Sequence, residues 1–161
     1  MNGLVAQTFT GNVVINSQTD LDNFEPSGGG TYTRISNGSL LIEPTGGVLT
    51  DFSNLADLDY IQLDLTIVNY EGNQTVANPL AQLTILTEVR SLVIGGNTAG
   101  NIGITSVSSP NLSLVRGRVE ITNNVLVTTV SLPSLLEVRN GSLLIRDMDN
   151  LATLSASNWQ K

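Results

Sequence analysis

Six isoleucines set the frame of this chain. They stand at Ile15, Ile42, Ile67, Ile94, Ile121 and Ile145, so successive intervals are 27, 25, 27, 27 and 24 residues. Each closes a short alternating run: Val13-Val-Ile15, Leu40-Leu-Ile42, Leu65-Thr-Ile67, Leu92-Val-Ile94, Val119-Glu-Ile121 and Leu143-Leu-Ile145. Alternation places the first and third residue of each run on one face of a strand. A unit this short cannot bury that face alone, so copies must stack on one another, and a fixed period of this length marks a solenoid.

Behind each run, apolar residues recur about every third position. The series are Leu49, Phe52, Leu55, Leu58 and Ile61; then Leu80, Leu83, Leu86 and Val89; then Ile104, Val107, Leu112 and Val115. The next reads Leu126, Thr129, Leu132, Leu135 and Val138, and a last one continues to Leu151 and Leu154. This spacing predicts short 3₁₀-like or turn-linked segments with every third residue inward. The expected fold is mainly β, a single unit over residues 1–161. An N-terminal strand and cap occupy 1–30, stacked rungs 31–155, and a tail 156–161.

A terminal rung exposes its core and its strand edges, so a cap is expected. Ser17-Gln-Thr-Asp-Leu-Asp-Asn-Phe24 before Pro26 provides one. Ser17 or Thr19 suits an N-cap, Asp20 and Asp22 suit a first turn, and Leu21 and Phe24 sit three apart.

Composition narrows the function classes. The net charge is −7, with seven basic residues against fourteen acidic ones, a balance that repels nucleic acid. No apolar run approaches the roughly 20 residues of a membrane span, so no membrane insertion is expected. The chain has no cysteine and no histidine, which excludes disulfides, thiolate metal sites and any triad built on histidine.

The rung junctions carry a family likeness. Ile35-Ser-Asn-Gly-Ser-Leu-Leu-Ile42, Val89-Arg-Ser-Leu-Val-Ile94, Val115-Arg-Gly-Arg-Val-Glu-Ile121 and Val138-Arg-Asn-Gly-Ser-Leu-Leu-Ile145 look like variants of a V-x-G-x-L-x-I element. An Asn or Asp follows soon after, at Asn69, Asn97, Asn123 and Asp147. With the segment Thr19–Phe24, these elements resemble the receptor L domain, a leucine-rich-repeat-like family, over about residues 12 to 155. The likeness is to cysteine-free versions in bacterial surface proteins. It implies a right-handed parallel β-solenoid of about five to six rungs with a short N-terminal capping helix. It also implies a non-catalytic recognition or adhesion role at the cell surface or in a secreted protein. A signal peptide is then expected to have been removed or to lie outside this chain.

The pairs Asp20/Asp22, Asp57/Asp59 and Asp147/Asp149 lack a third ligand at metal-binding spacing and read as solvated turns, so neither a metal nor another cofactor is expected. Arg34, Arg90, Arg116 and Arg139 recur at rung junctions, where Glu88 and Glu137 can interleave; an anion-binding strip is the alternative. Asn69, Asn123 and Asp147 suit turn positions.

The outward-facing column is the leading candidate for partner binding. It comprises Val14, Leu41, Thr66, Val93, Glu120 and Leu144, flanked by Asn12, Ser39, Asp64, Ser91, Arg118 and Ser142. An aliphatic stripe with a polar rim is the pattern of an interface. Two longer connections, Tyr70–Pro79 with Tyr70 and Asn73, and Thr98–Gly103, are expected to project as recognition loops. Trp159 is a possible docking residue at the last rung. The partners expected are a surface protein or glycan, or copies of the chain assembling into a fibre or layer.

Overall fold

The structure, a computed structural model, describes residues 6–95 and 101–159. It is a parallel β-solenoid of six rungs, each with two strand facets and a third side. The first rung contains β1 (Gln7–Thr10), β2 (Val13–Ile15) and the helix α1 (Gln18–Asp22). The second contains β3 (Tyr32–Ser36), β4 (Leu40–Ile42) and a 3₁₀ helix, Ser53–Leu55. In the third, β5 (Tyr60–Ile67) runs through both facets before a 3₁₀ helix, Leu80–Gln82. The fourth has β6 (Glu88–Ile94) and β7 (Ser106–Ser108). The fifth has β8 (Leu114–Val115), β9 (Val119–Thr122) and β10 (Thr129–Ser131). The sixth has β11 (Glu137–Val138), β12 (Leu143–Arg146) and β13 (Thr153–Ser155).

The first facet stacks β1, β3, β5, β6, β8 and β11, and the second stacks β2, β4, β5, β6, β9 and β12, all parallel. The six anchor isoleucines lie in one lateral register, Ile15 to Ile42, Ile67, Ile94, Ile121 and Ile145. The first five are at most 1 % exposed. Each fully buried aliphatic side chain of this kind contributes about 1.5–3 kcal/mol. Stacking, not any single rung, therefore carries the stability.

The threefold apolar series is realised in two ways. In rungs two and three it forms 3₁₀ helices, and from rung four onward short strands β7, β10 and β13 replace them. That change corrects the phase of the fifth rung. Leu126 is exposed and Thr129 half-buried, whereas Val127 and Val130 point into the core. The Val127 N–H bonds the Asn124 carbonyl in a turn, and β10 then alternates with period two, so Val130 takes the inward place beside Val107.

Asn37, Asn69, Asn123 and Asp147 have φ between 51° and 57°, the left-handed conformation that asparagine and aspartate tolerate at low cost. At the corner between facets, a Cβ on Gly38 would lie 1.7 Å from the Gly11 carbonyl oxygen of the rung below. Only glycine allows the rungs to approach there. Asn97 lies outside the described residues.

The N-terminal cap forms as a capping box. Ser17 is the N-cap; its hydroxyl accepts from the Asp20 N–H at 3.3 Å, and the Asp20 carboxylate accepts from the Ser17 N–H at 2.8 Å. The same carboxylate accepts from the Asn16 N–H at 2.9 Å. These bonds, the Asn16 amide foremost, hold the Asp20 carboxyl below its ordinary range. Asp20→Ala should cost about 1 kcal/mol, the usual worth of an N-terminal cap. Because the folded-state pKa is depressed, that contribution is present above the unfolded carboxylate pKa and lost as pH falls through the folded one. Thermal melts of both proteins should differ at pH 7 and converge in acid; a gap that persists in acid would remove the cap from the account.

Candidate functional site

The outward column on the second facet is a true lateral ladder. Val14 pairs with Leu41, Leu41 with Thr66, Thr66 with Val93, Val93 with Glu120, and Glu120 with Leu144. Val14 and Leu144 are 48 % and 39 % exposed, and Leu41, Thr66 and Val93 are half-buried. Glu120 departs from expectation: read from sequence as a solvent-facing exception, it is 6 % exposed and pairs with Arg118 at 3.2 Å. The strand around it, Val119–Thr122, is buried on both faces. The aliphatic stripe is therefore strongest over the first four rungs.

The polar rail beside it is knitted across rungs. Asn12 Oδ1 accepts from the Ser39 N–H at 3.0 Å, and Ser39 Oγ accepts from the Asp64 N–H at 3.2 Å. Asp64 receives both Nε and Nη2 of Arg90, at 3.0 and 2.7 Å. The Arg90 hydrogen bonds are the main reason that the Asp64 carboxyl sits below its usual range.

The first facet holds a feature that the repeat pattern does not announce. Its outward register runs Thr8, Arg34, Tyr60, Glu88, Leu114 and Glu137. A shallow depression of about 380 Å³ is lined by Thr8, Arg34, Ser36, Tyr60, Glu88 and Arg116. The Arg34 guanidinium carbon lies 4.5 Å from the Tyr60 ring centroid and that of Arg116 5.9 Å, within the range of cation–π attraction. Arg116 pairs closely with Glu88, and Arg34 with Asp59 at 3.5 Å. Arg34, Glu88 and Arg116 are legible in the sequence as junction charges, whereas Tyr60, which gathers the two guanidiniums, is not singled out by the repeat.

The arginines do not form one column. Arg34 precedes its inward residue Ile35, whereas Arg90, Arg116 and Arg139 follow Val89, Val115 and Val138. Ile35, Ile61, Val89, Val115 and Val138 share one register, so Arg34 belongs to a different row. All six arginines sit within ion-pair distance of a carboxylate, including Arg139 with Glu137 and Arg146 with Asp147, both at 2.9 Å. Charge neutralisation of this kind supports the corner-ladder reading and removes the excess cation that an anion strip needs.

The corner loops are also corrected. Tyr70 is fully buried and its hydroxyl has no hydrogen-bond partner, so its ring is a core element, not a projecting contact. Burial raises its pKa strongly. Gln74 ties the loop down: its Oε1 accepts from the Leu49 N–H at 2.7 Å and its Nε2 donates to the Gly47 carbonyl at 3.1 Å. Asn73 remains exposed. In the second loop Thr98, Ala99 and Gly100 lie outside the described residues, Asn101 and Gly103 are buried, and Ile102 is exposed.

Asn101 belongs to an internal amide relay. Its Oδ1 accepts from the Tyr70 N–H at 2.9 Å, and its Nδ2 donates to the Ile67 carbonyl and to Asn124 Oδ1, both at 3.0 Å. Asn124 Nδ2 in turn donates to the carbonyls of Ile94 and Thr122, at 3.0 and 2.8 Å. The amides that bond from rung to rung are thus Asn101 and Asn124.

The three aspartate pairs have separate employments. Asp20 caps the helix, Asp59 pairs with Arg34, Asp57 accepts from the Thr31 hydroxyl, and Asp147 sits in a left-handed turn. Among the described residues no three acidic side chains gather to hold a cation. Among the same residues no helix is long and apolar enough to cross a membrane. Trp159 is half-buried against the core, with its indole N–H unpaired.

No protein-family model, curated protein or solved structure matches the chain. The class that the geometry defines is the parallel β-solenoid. The resemblance to the receptor L domain rests on the sequence motifs alone.

Proposed function

We propose that this chain is a non-catalytic recognition module of a secreted or cell-surface protein, binding a protein partner through its strand facets. One observation carries the reading: the ladder Val14, Leu41, Thr66 and Val93, aliphatic at three of its four positions, lies beside a polar rail on a sheet whose geometry stacking holds rigid. A rigid apolar strip with a satisfied polar rim binds with little ordering cost. The depression around Tyr60 on the adjoining facet adds an aromatic with two guanidiniums, residue types enriched at binding hot spots and suited to a glycan as well. The Ser-, Thr- and Asn-rich composition, with few charges, supports placement outside the cell, and a stacked core of this size does without disulfides there.

The test is binding of labelled protein to intact cells and to a glycan array, with Val93→Lys/Leu144→Lys and Tyr60→Ala compared against wild type. The double variant should bind at least tenfold more weakly with its melting temperature within a few degrees of wild type. Undiminished binding with an intact fold would show that the column is not the contact. Loss in Tyr60→Ala alone would move the contact to the first facet.

A further inference from the structure

The depression on the first facet holds donors and acceptors that the fold does not use. Strand register sets Thr8, Arg34, Tyr60 and Glu88 side by side on successive rungs, about 4.8 Å apart. Arg116 reaches back from the fifth rung and closes the far side through its pair with Glu88. Arg34 lies over the Tyr60 ring at 4.5 Å. A guanidinium held on an aromatic face keeps its N–H groups for other partners.

Those groups are unspent. Among the described residues the Arg34 guanidinium makes no hydrogen bond; its charge partner Asp59 stands 3.5 Å from Nε, and both side chains are about half exposed. The Tyr60 hydroxyl bonds no protein group either. Glu88 turns Oε1 toward Arg116, while Oε2 has no protein partner. Two guanidiniums thus face two carboxylates, Asp59 and Glu88, and the site as a whole is neutral. An anion has to displace a carboxylate from an arginine, and a cation has to displace an arginine. An uncharged polyhydroxyl ligand displaces neither, because each hydroxyl can accept from an arginine N–H and donate to a carboxylate oxygen. None of the six lining residues is aliphatic, so the apolar anchor that a protein contact needs lies on the second facet and not here. The volume, about 380 Å³, is at the small end of the roughly 300–1,000 Å³ of small-ligand sites, room for a short stretch of sugar chain.

We propose, on the footing of the recognition role, that this depression is a subsite for a neutral glycan, taking a hexopyranose unit of an uncharged oligosaccharide and separate from the contact surface of the ladder. Arg34 and Arg116 donate to sugar hydroxyls, Glu88 Oε2 accepts from one, and Tyr60 sets the position of the unit with its ring and hydroxyl. A shallow site of this size binds weakly, with a Kd of about 1 mM for a short sugar. Strength comes from repetition of the sugar along a polymer or a surface.

The test is NMR titration of isotope-labelled protein with cellotetraose, maltotetraose, mannotetraose and chitotetraose, and with tetragalacturonate as the anionic control. At least one neutral sugar should shift the amides of Arg34, Tyr60 and Glu88, saturating in the low millimolar range, and leave those of Val14 and Val93 in place. Tyr60→Ala and Arg34→Gln should each weaken that binding at least tenfold. Arg34→Gln changes a half-exposed side chain, so it keeps the test open if Tyr60→Ala fails to fold. Val93→Lys/Leu144→Lys should bind the sugar as wild type does. No shift from any neutral sugar at about 20 mM, shifts that avoid the first facet, or tighter binding of tetragalacturonate that salt abolishes would each overturn the subsite. The ladder variant is read separately on cells, so a failed sugar titration beside a lost cell contact in that variant removes the subsite and leaves the recognition role standing.

Discussion

Val119→Asp is expected to abolish the cooperative fold at neutral pH. Val119 is fully buried in the fifth rung, with Leu92 of the fourth and Leu143 of the sixth beside it in register. These inward neighbours are aliphatic, so the new carboxylate meets no cation and no donor on this face. Burial in such a setting raises a carboxyl pKa by up to 3–5 units. Keeping it protonated at pH 7 then costs about 4 kcal/mol at 1.36 kcal/mol per unit, before the lost valine packing and the unpaired polar group are counted. Small domains hold about 5–15 kcal/mol in total. A folded-state pKa above the unfolded value means that the folded state binds the extra proton, so the variant should regain stability as pH falls toward 4. Denaturant melts at pH 7 and pH 4.5 read both effects. A Val119→Asp protein that melts like wild type at pH 7 would place this strand in the wrong register.

What made the register readable was the recurrence of one alternating triplet six times. Each copy of that triplet sees the same environment, so errors in one are corrected by the others. The outward column was readable for the same reason, because a strand's face follows from its period once one residue is fixed. The capping helix was legible from Ser17–Phe24 because a cap depends on neighbouring residues, but the sequence left Ser17 and Thr19 both open as the N-cap, and the reciprocal bonds of Ser17 with Asp20 settle it. What the repeat did not contain was what it could not show. The fifth-rung phase slips by one at Leu126 because Asn124 is drawn inside by partners 23 and 30 residues away, Asn101 and the Ile94 carbonyl. Tyr70 looks like a loop aromatic in sequence, but its ring lies in the core, and the segment after it is tied to the second rung through Gln74. Arg34 resembles the later junction arginines by spacing but stands on the other side of its inward residue, a distinction that register alone resolves. Glu120 reads as exposed by alternation; its burial comes from tertiary context that one strand's pattern does not encode.

Asn101→Leu should destabilise the protein nearly as much, for the opposite reason: it removes a polar group that the core needs. The side chain is fully buried and near leucine in size, so packing changes little. What disappears is the acceptor for the Tyr70 N–H and the donor to the Ile67 carbonyl, both backbone groups in the interior, and the donor to Asn124 Oδ1. Each buried group left without a partner costs about 1–3 kcal/mol, so two or three together amount to roughly 3–6 kcal/mol. Asn101→Asp offers no rescue, because it keeps the acceptor toward Tyr70 while setting a carboxylate against the Ile67 and Asn124 oxygens and burying a charge. The loss should be local before it is global. Amide exchange at Tyr70 and Gly103, whose N–H bonds the Tyr70 carbonyl at 2.7 Å, should accelerate well before that of Val89 or Val115 on the first facet. If Asn101→Leu melts within about 2 °C of wild type and those amides stay slow, the relay does not hold the third rung to the fourth and fifth. The Tyr70–Pro79 segment would then owe its position to the burial of Tyr70, Pro79 and Leu80 alone.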